Sequence, residues 1–218
     1  MNNIHVITCE GNEDRLVTLH ERLEFGGLKD YEIVNGTLGE EIERYQKIWK
    51  HAQEKEIIYP FGTWSKCALL KNKGKNFHRI ACFLSHYNIL QKYKIPTIIC
   101  EDDIYFKKKD IVPISLKTLP EDCFMAHWDA THIELLDKSW IINKSSGWYR
   151  IEPEKARVWC SGCYYVADPQ KFVDVLDKNQ SKVYDKCLID YCHKHYPCYI
   201  WLSPSCYQDR DSFMSSIK

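Results

Sequence analysis

A strand, a helix and a second strand follow one another at the start of this chain, and that order constrains the fold more than any other feature. NIHVIT, Asn3 to Thr8, reads as a short apolar strand. In NEDRLVTLHERLEFGGL, Leu16, Leu19 and Leu23 recur at helical spacing, and Gly26-Gly27 supplies a stop. YEIVNG, Tyr31 to Gly36, is a second strand closed by a turn dipeptide. Two strands joined through a helix pair in parallel by a right-handed crossover. The expected class is therefore α/β, with a mostly parallel sheet flanked by helices.

HRIACFLSHYNILQKY, His78 to Tyr93, is the clearest helix, with Ile80, Phe83, Leu84, Tyr87 and Leu90 on one face. Pro96 marks a break before the strand Thr97 to Cys100. Three consecutive carboxylates then follow, Glu101-Asp102-Asp103, before apolar residues resume at Ile104, Tyr105 and Phe106. Carboxylates at 101 and 103 repel one another unless a cation lies between them. Hard dications such as Mn²⁺ and Mg²⁺ take oxygen ligands and bridge to phosphates. Open parallel sheets also bind ligands at the carboxyl ends of their strands. The triplet thus fits a metal-diphosphate clamp. The plainer alternative is a solvated turn paired with Lys107, Lys108 and Lys109.

The stretch from 37 to 76 is less legible. GEEIERYQKIWKHAQEK has a helical look and YPFGTWSKCALLKNKGKN carries turn residues, so an excursion or mobile lid near the site is expected. Cys123 to Leu135 is expected to be a buried strand with its loop. Val158 to Lys178 reads as strand, turn and helix, with Asp168 as the cap and Pro169 in the first helical position. A short helix and a last strand with its tail complete the chain. At 218 residues, with no repeat or low-complexity linker, one domain over 1–218 is expected.

Thirty basic side chains balance thirty acidic ones, so no long-range field favours nucleic acid or an anionic membrane. No apolar run is long enough to span a bilayer, and the N-terminus lacks the pattern of a signal peptide. Eleven cysteines then suggest free thiols in a reducing, cytoplasmic compartment. Cys160 and Cys163 have zinc-ligand spacing, and Cys187, Cys192, His193, His195, Cys198 and Cys206 crowd the C-terminal region. A structural zinc site needs two such close pairs, which leaves buried thiols as the expectation.

Taken together, IHVITCEGNEDR, ACFLSHYNIL, IPTIICEDDIYF, HWDATHIEL and CSGCYYVADPQKF resemble glycosyltransferase family 25, the lipooligosaccharide and collagen galactosyltransferase group, in order along nearly the whole chain. The resemblance implies a GT-A, Rossmann-like fold and transfer of a hexose, galactose or glucose, from a UDP-sugar to a glycan or glycoprotein acceptor with Mn²⁺ or Mg²⁺. It places Glu101 and Asp103 at the outer positions of a DxD-type motif, Asp103 as a metal ligand and Glu101 on the metal or the ribose, with Asp102 between them orienting the site. Thr8, Arg15, Asn35, Gly36, Ser85 and His86 would bind the nucleotide sugar. Thr8-Cys9 stands where the family commonly has Asn-Leu, and a glycine often found before the Ser-His pair is not evident in NFHRIACFLSH.

Transfer with inversion also needs a carboxylate to take the acceptor proton. Asp190 and Asp129 are the first candidates, ahead of Glu134 and Asp185. Lys71, Lys73 and Lys75 could reach a diphosphate, and Gln208, Asp209 or Asp211 could add a metal ligand. Trp128, Trp159 and Trp201 could stack on a sugar or base, though strand aromatics more often fill a core. A phosphoryl enzyme would call for a glycine-rich loop after the first strand, and CEGNEDR has one glycine. A non-catalytic binding or scaffold protein of the same fold is the competing expectation.

Overall fold

The computed structural model describes residues 3–9, 12–38, 77–129, 133–141, 146–159, 161–178, 184–202 and 206–208. Its strands, in chain order, are β1 (Asn3–Thr8), β2 (Tyr31–Asn35), β3 (Thr97–Glu101), β4 (Ile104–Phe106), β5 (Met125–His127), β6 (Ile133–Leu135), β7 (Gly147–Arg150), β8 (Ala156–Val158), β9 (Cys163–Val166), β10 (Cys198–Leu202) and β11 (Cys206–Gln208). The helices are α1 (Glu13–Leu16), α2 (Leu19–Gly26), α3 (Phe77–Lys92), α4 (Ile111–Leu116), α5 (Pro169–Lys178), α6 (Tyr184–Cys187) and α7 (His193–His195). A π-helical turn, Leu188–Cys192, joins the last two.

Seven strands form the central sheet, in the order β2-β1-β3-β9-β5-β10-β7. β1 pairs in parallel with both β2 and β3, and β5 with β10, while β9 and β7 run against their neighbours. Five strands therefore share one direction, and the mostly parallel α/β sheet expected from the opening segment is present. β4 pairs with β11 and β6 with β8 in two small antiparallel ribbons. The segment expected to be a single strand with its loop, Cys123 to Leu135, is thus divided between the main sheet and a ribbon.

Alternation along the strands feeds two cores, one on each face of the sheet. Ile7, Ile99, Tyr164 and Val166 pack with Phe83, Leu84 and Leu90 of α3 and Phe172 and Leu176 of α5. Val6, Ile98, Cys100 and Cys163 pack on the other side with Leu19 and Leu23 of α2 and Ile111 and Val112 of α4. The same parity fixes what lies at the strand ends. Glu101 follows Ile99 onto the α3 face, and Thr8 follows Val6 onto the α1–α2 face.

Local signals act largely as read. Gly27 takes a left-handed conformation, φ 83°, and its N–H donates to the carbonyls of Leu23 and Glu24, ending α2. Asp168 caps α5, its Oδ1 accepting from the N–H of Lys171 at 3.0 Å. The first helix departs from expectation because it breaks at Val17-Thr18 into α1 and α2. Leu19 and Leu23 are buried, but Leu16 falls on the far side of the break and is 36% exposed. Trp128 is fully buried and Trp201 nearly so, as core residues. Cys163, Cys187, Cys192, Cys198 and Cys206 are buried thiols outside any disulfide, while Cys160 lies outside the described residues. From residue 39 onward the expected excursion at 37–76, with Lys71, Lys73 and Lys75, also lies outside them, as do Asp209 and Asp211. Among the described residues, no helix is long and apolar enough to cross a membrane.

Candidate active site

From β1 the chain passes to β2 on one side and later returns to β3 on the other. Open α/β sheets bind their ligands at the carboxyl ends of the strands beside such a switch point. Thr8 ends β1 there, and Glu101 ends β3 directly before the Asp102-Asp103 turn. The N–H of Asp102 donates to the carbonyl of Ile7 at 3.0 Å, stitching the acidic turn to β1.

The three carboxylates have different surroundings. Asp102 is 3% exposed and accepts from Thr8 Oγ1 at 2.7 Å, Asn12 Nδ2 at 3.2 Å and Arg15 Nη1 at 2.7 Å. Arg22 supports the turn from beneath, donating to the carbonyls of Asp102 at 3.0 Å, Ile104 at 2.8 Å and Arg15 at 2.6 Å. Burial alone would lower the pKa of Arg15, but its bond to Asp102 and the nearby charge of Asp103 raise it overall. Asp103 is 8% exposed, its Oδ2 3.7 Å from Arg15 Nη1. Both aspartates are buried, which overturns the solvated-turn alternative. Lys107, Lys108 and Lys109 are exposed.

Glu101 faces α3, as its strand parity requires. Its Oε1 accepts from Ser161 Oγ at 3.0 Å and lies 3.3 Å from His86 Nε2. His86 is 1% exposed, stacks on Tyr184 with ring centroids 4.4 Å apart, and places Nδ1 2.9 Å from the Tyr164 hydroxyl. Tyr164 and Tyr184 hydroxyls are 2.6 Å apart, and burial raises both phenol pKa values well above the ordinary one. An ionised carboxylate can only accept. His86 therefore donates from Nε2 to Glu101, while its Nδ1 pairs with the Tyr164 hydroxyl, which pairs in turn with that of Tyr184.

Ser85 fastens the turn after β2. Its Oγ accepts from the N–H of Thr37 at 2.9 Å and donates to the carbonyl of Ala81 at 2.8 Å. Gly36 donates to the carbonyl of Thr8 at 2.6 Å, and Asn35 beside it is exposed. A Cβ on Gly36 would lie 2.9 Å from Cys9 Sγ, 3.0 Å from Ser85 Oγ and 3.2 Å from Ile7 Cγ2. Gly36→Ala is accordingly expected to cost about 1–3 kcal/mol, as overpacking does. A lower urea midpoint with unchanged slope would report it, and an unchanged midpoint would show that the turn yields freely.

Of the residues read from sequence, Thr8, Arg15 and Asp102 form one network, while Glu101 and His86 meet across the sheet edge. Asp129 is 1% exposed at the carboxyl end of β5, bridged to Cys206, on the same edge of the sheet. Asp190 is half-buried in the π-helical turn that continues the helix of Tyr184. Glu134 accepts from Arg157 at 3.3 Å and Trp159 at 3.2 Å, both exposed contacts. The side chains of Asp185 and Gln208 lie outside the description. Sequence reading missed Asn12, Arg22, Cys82, Ser161, Tyr164 and Tyr184. Arg22 had a visible signal, a charge next to Leu23 on the buried side of a helix. Cys82 and His86 had another, their spacing of one helical turn.

The model of the family described as Glycosyltransferase family 25 (LPS biosynthesis protein) matches residues 1–152. The chain belongs to glycosyltransferase family 25. No curated protein matches it. Solved structures similar to this chain include the apo form of the glycosyltransferase GlyE of Streptococcus pneumoniae TIGR4, at 13% identity and a TM-score of 0.42, over 91% of this chain and 45% of that one. Mouse xyloside xylosyltransferase 1 in its apo form is similar at 9% identity and a TM-score of 0.42, over 89% of this chain and 82% of that one. WbbM, a bifunctional glycosyltransferase, is similar at 9% identity and a TM-score of 0.35, over 86% and 34%. The chain thus spans less than half the length of the GlyE chain it matches. The mostly parallel sheet with helices on both faces agrees with the GT-A architecture expected of family 25.

Proposed function

We propose that this family 25 chain moves a hexose, galactose or glucose, from a UDP-sugar to a hydroxyl of a glycan or glycosylated protein, with inversion and with Mn²⁺ or Mg²⁺. The observation that carries this reading is the buried acidic turn at the carboxyl ends of β1 and β3, at the switch point of the sheet. Asp103 and Glu101 offer hard oxygen donors, which suit such a dication. Asp102 does not join them, because its two oxygens already accept from Thr8, Asn12 and Arg15. Bound there, the dication would supply Lewis-acid stabilisation of the leaving diphosphate.

The chain's own residues do the rest. Arg15, Arg22 and Thr8 hold the turn in place, and Ser85 with Gly36 shapes the wall after β2, where Asn35 is exposed to meet the nucleoside. Asp190 and Asp129 are the candidate bases for the acceptor proton. Asp190 draws support from its π-helical turn, a device recurrent at functional sites. Asp129 draws support from its sheet edge. The proposed compartment is cytoplasmic, in keeping with nine described cysteines that are in no disulfide. The alternative, a non-catalytic binding protein, draws on the pairing of Asp102 with Arg15, which offsets part of the acidic charge without a dication.

Thermal unfolding tests the binding half of the proposal. UDP added in the presence of Mn²⁺ at about 100-fold above its dissociation constant should stabilise the protein by about 2.7 kcal/mol, and the same UDP concentration without the metal by less. A panel of UDP- and GDP-sugars scored for Mn²⁺-stimulated release of nucleoside diphosphate tests the catalytic half. Stabilisation with no donor turned over would favour the binding protein.

A further inference from the structure

The proposed donor metal is held by Asp103 and Glu101 of the acidic turn. Glu101 also meets two residues of α3. Cys82 and His86 are one helical turn apart, so they project from the same face of that helix. Cys82 Sγ, a nitrogen of His86 and an oxygen of Glu101 all lie within 4.8 Å of one another. We propose that these three side chains form a second metal site, for a borderline-soft dication of the Zn²⁺ class, which shares the Glu101 carboxylate with the oxygen-ligated donor metal.

Three features support it. Thiolate, imidazole and carboxylate are the ligand types zinc combines, and Mn²⁺ and Mg²⁺ do not favour sulfur. With metal–nitrogen and metal–oxygen bonds of about 2.0–2.1 Å, tetrahedral neighbours stand about 3.3 Å apart. His86 Nε2 and Glu101 Oε1 are 3.3 Å apart. The site also has supporting partners of the kind that orient metal ligands. Tyr164 hydrogen-bonds His86 Nδ1, Tyr184 stacks on the ring, and Ser161 donates to Glu101. In a metal-bound site His86 would carry its proton on Nδ1, donating to the Tyr164 oxygen, and present the Nε2 lone pair to the metal, while the Cys82 thiol would release its proton to solvent. Three protein ligands leave a fourth position open, and Cys82 and Glu101 are the partly exposed members of the set.

Cobalt(II) reads this site directly. The chain, stripped with a chelator and titrated with Co²⁺ alone, is expected to bind one equivalent, with a thiolate-to-cobalt charge-transfer band and tetrahedral visible bands that Zn²⁺ abolishes. Cys82→Ser exchanges one atom at a partly exposed position and should remove the thiolate band and weaken Zn²⁺ binding at least about tenfold. Cys9→Ser, which alters another partly exposed thiol, should leave both unchanged. Asp103→Asn should keep the cobalt band even where it removes the response to UDP and Mn²⁺, so the two metal proposals fail separately. Circular dichroism confirms that each variant is folded. Absence of a thiolate band in the folded parent, or a band that survives Cys82→Ser, overturns the proposal.

Discussion

Asp102→Ala is expected to lower the stability of the fold by about 3–5 kcal/mol, the range for removing one partner of a buried ion pair. Arg15 and Asp102 side chains are each 5% exposed and lie 2.7 Å apart. Without the carboxylate, Arg15 keeps its charge, because a guanidinium does not deprotonate in a protein. Thr8 and Asn12 lose an acceptor in the same step. The urea midpoint reads the loss. The double variant Arg15→Met/Asp102→Leu should recover a large part of it, since removing both charges also removes their desolvation cost. A single variant costing less than about 1 kcal/mol would match an exposed pair and would remove Asp102 as the anchor of the turn.

Asp103→Asn is expected to act on the reaction instead of the fold. Asparagine keeps the shape of the side chain, and Arg15 keeps its bond to Asp102, so the melting temperature should move by no more than a few degrees. Release of nucleoside diphosphate from the best donor should fall roughly 100- to 1,000-fold, the effect of deleting one group that stabilises developing charge. The stabilisation by UDP with Mn²⁺ should disappear with it. Full turnover by Asp103→Asn would transfer the metal to other ligands and end the role given to this carboxylate. The contrast between neighbours is the sharper test, because residue 102 should govern stability and residue 103 turnover.

The strand-helix-strand unit beside the switch point was legible because its causes are local. Asn3 to Thr8, the glycine stop at 26–27 and Tyr31 to Gly36 define a strand-helix-strand unit whatever else the chain does. The apolar run ending at Cys100 puts Glu101 at a strand's carboxyl end. Asp168 and Pro169 announce a helix start in the same way. Leu16 departed from expectation because the helix breaks at Val17-Thr18, which puts it on the far side of the break.

The pattern of residues 97–106 by itself determined that three carboxylates stand at the rim of a sheet, and the parity of β3 determined which face each neighbour takes. Only the tertiary structure decided how their charge is carried. Arg15 lies 87 residues from Asp102 in the chain, and Ser161 lies 60 from Glu101. Periodicity reports burial, which is a property of one element. Electrostatic compensation is a property of two elements brought together by the fold, and sequence spacing holds no record of it.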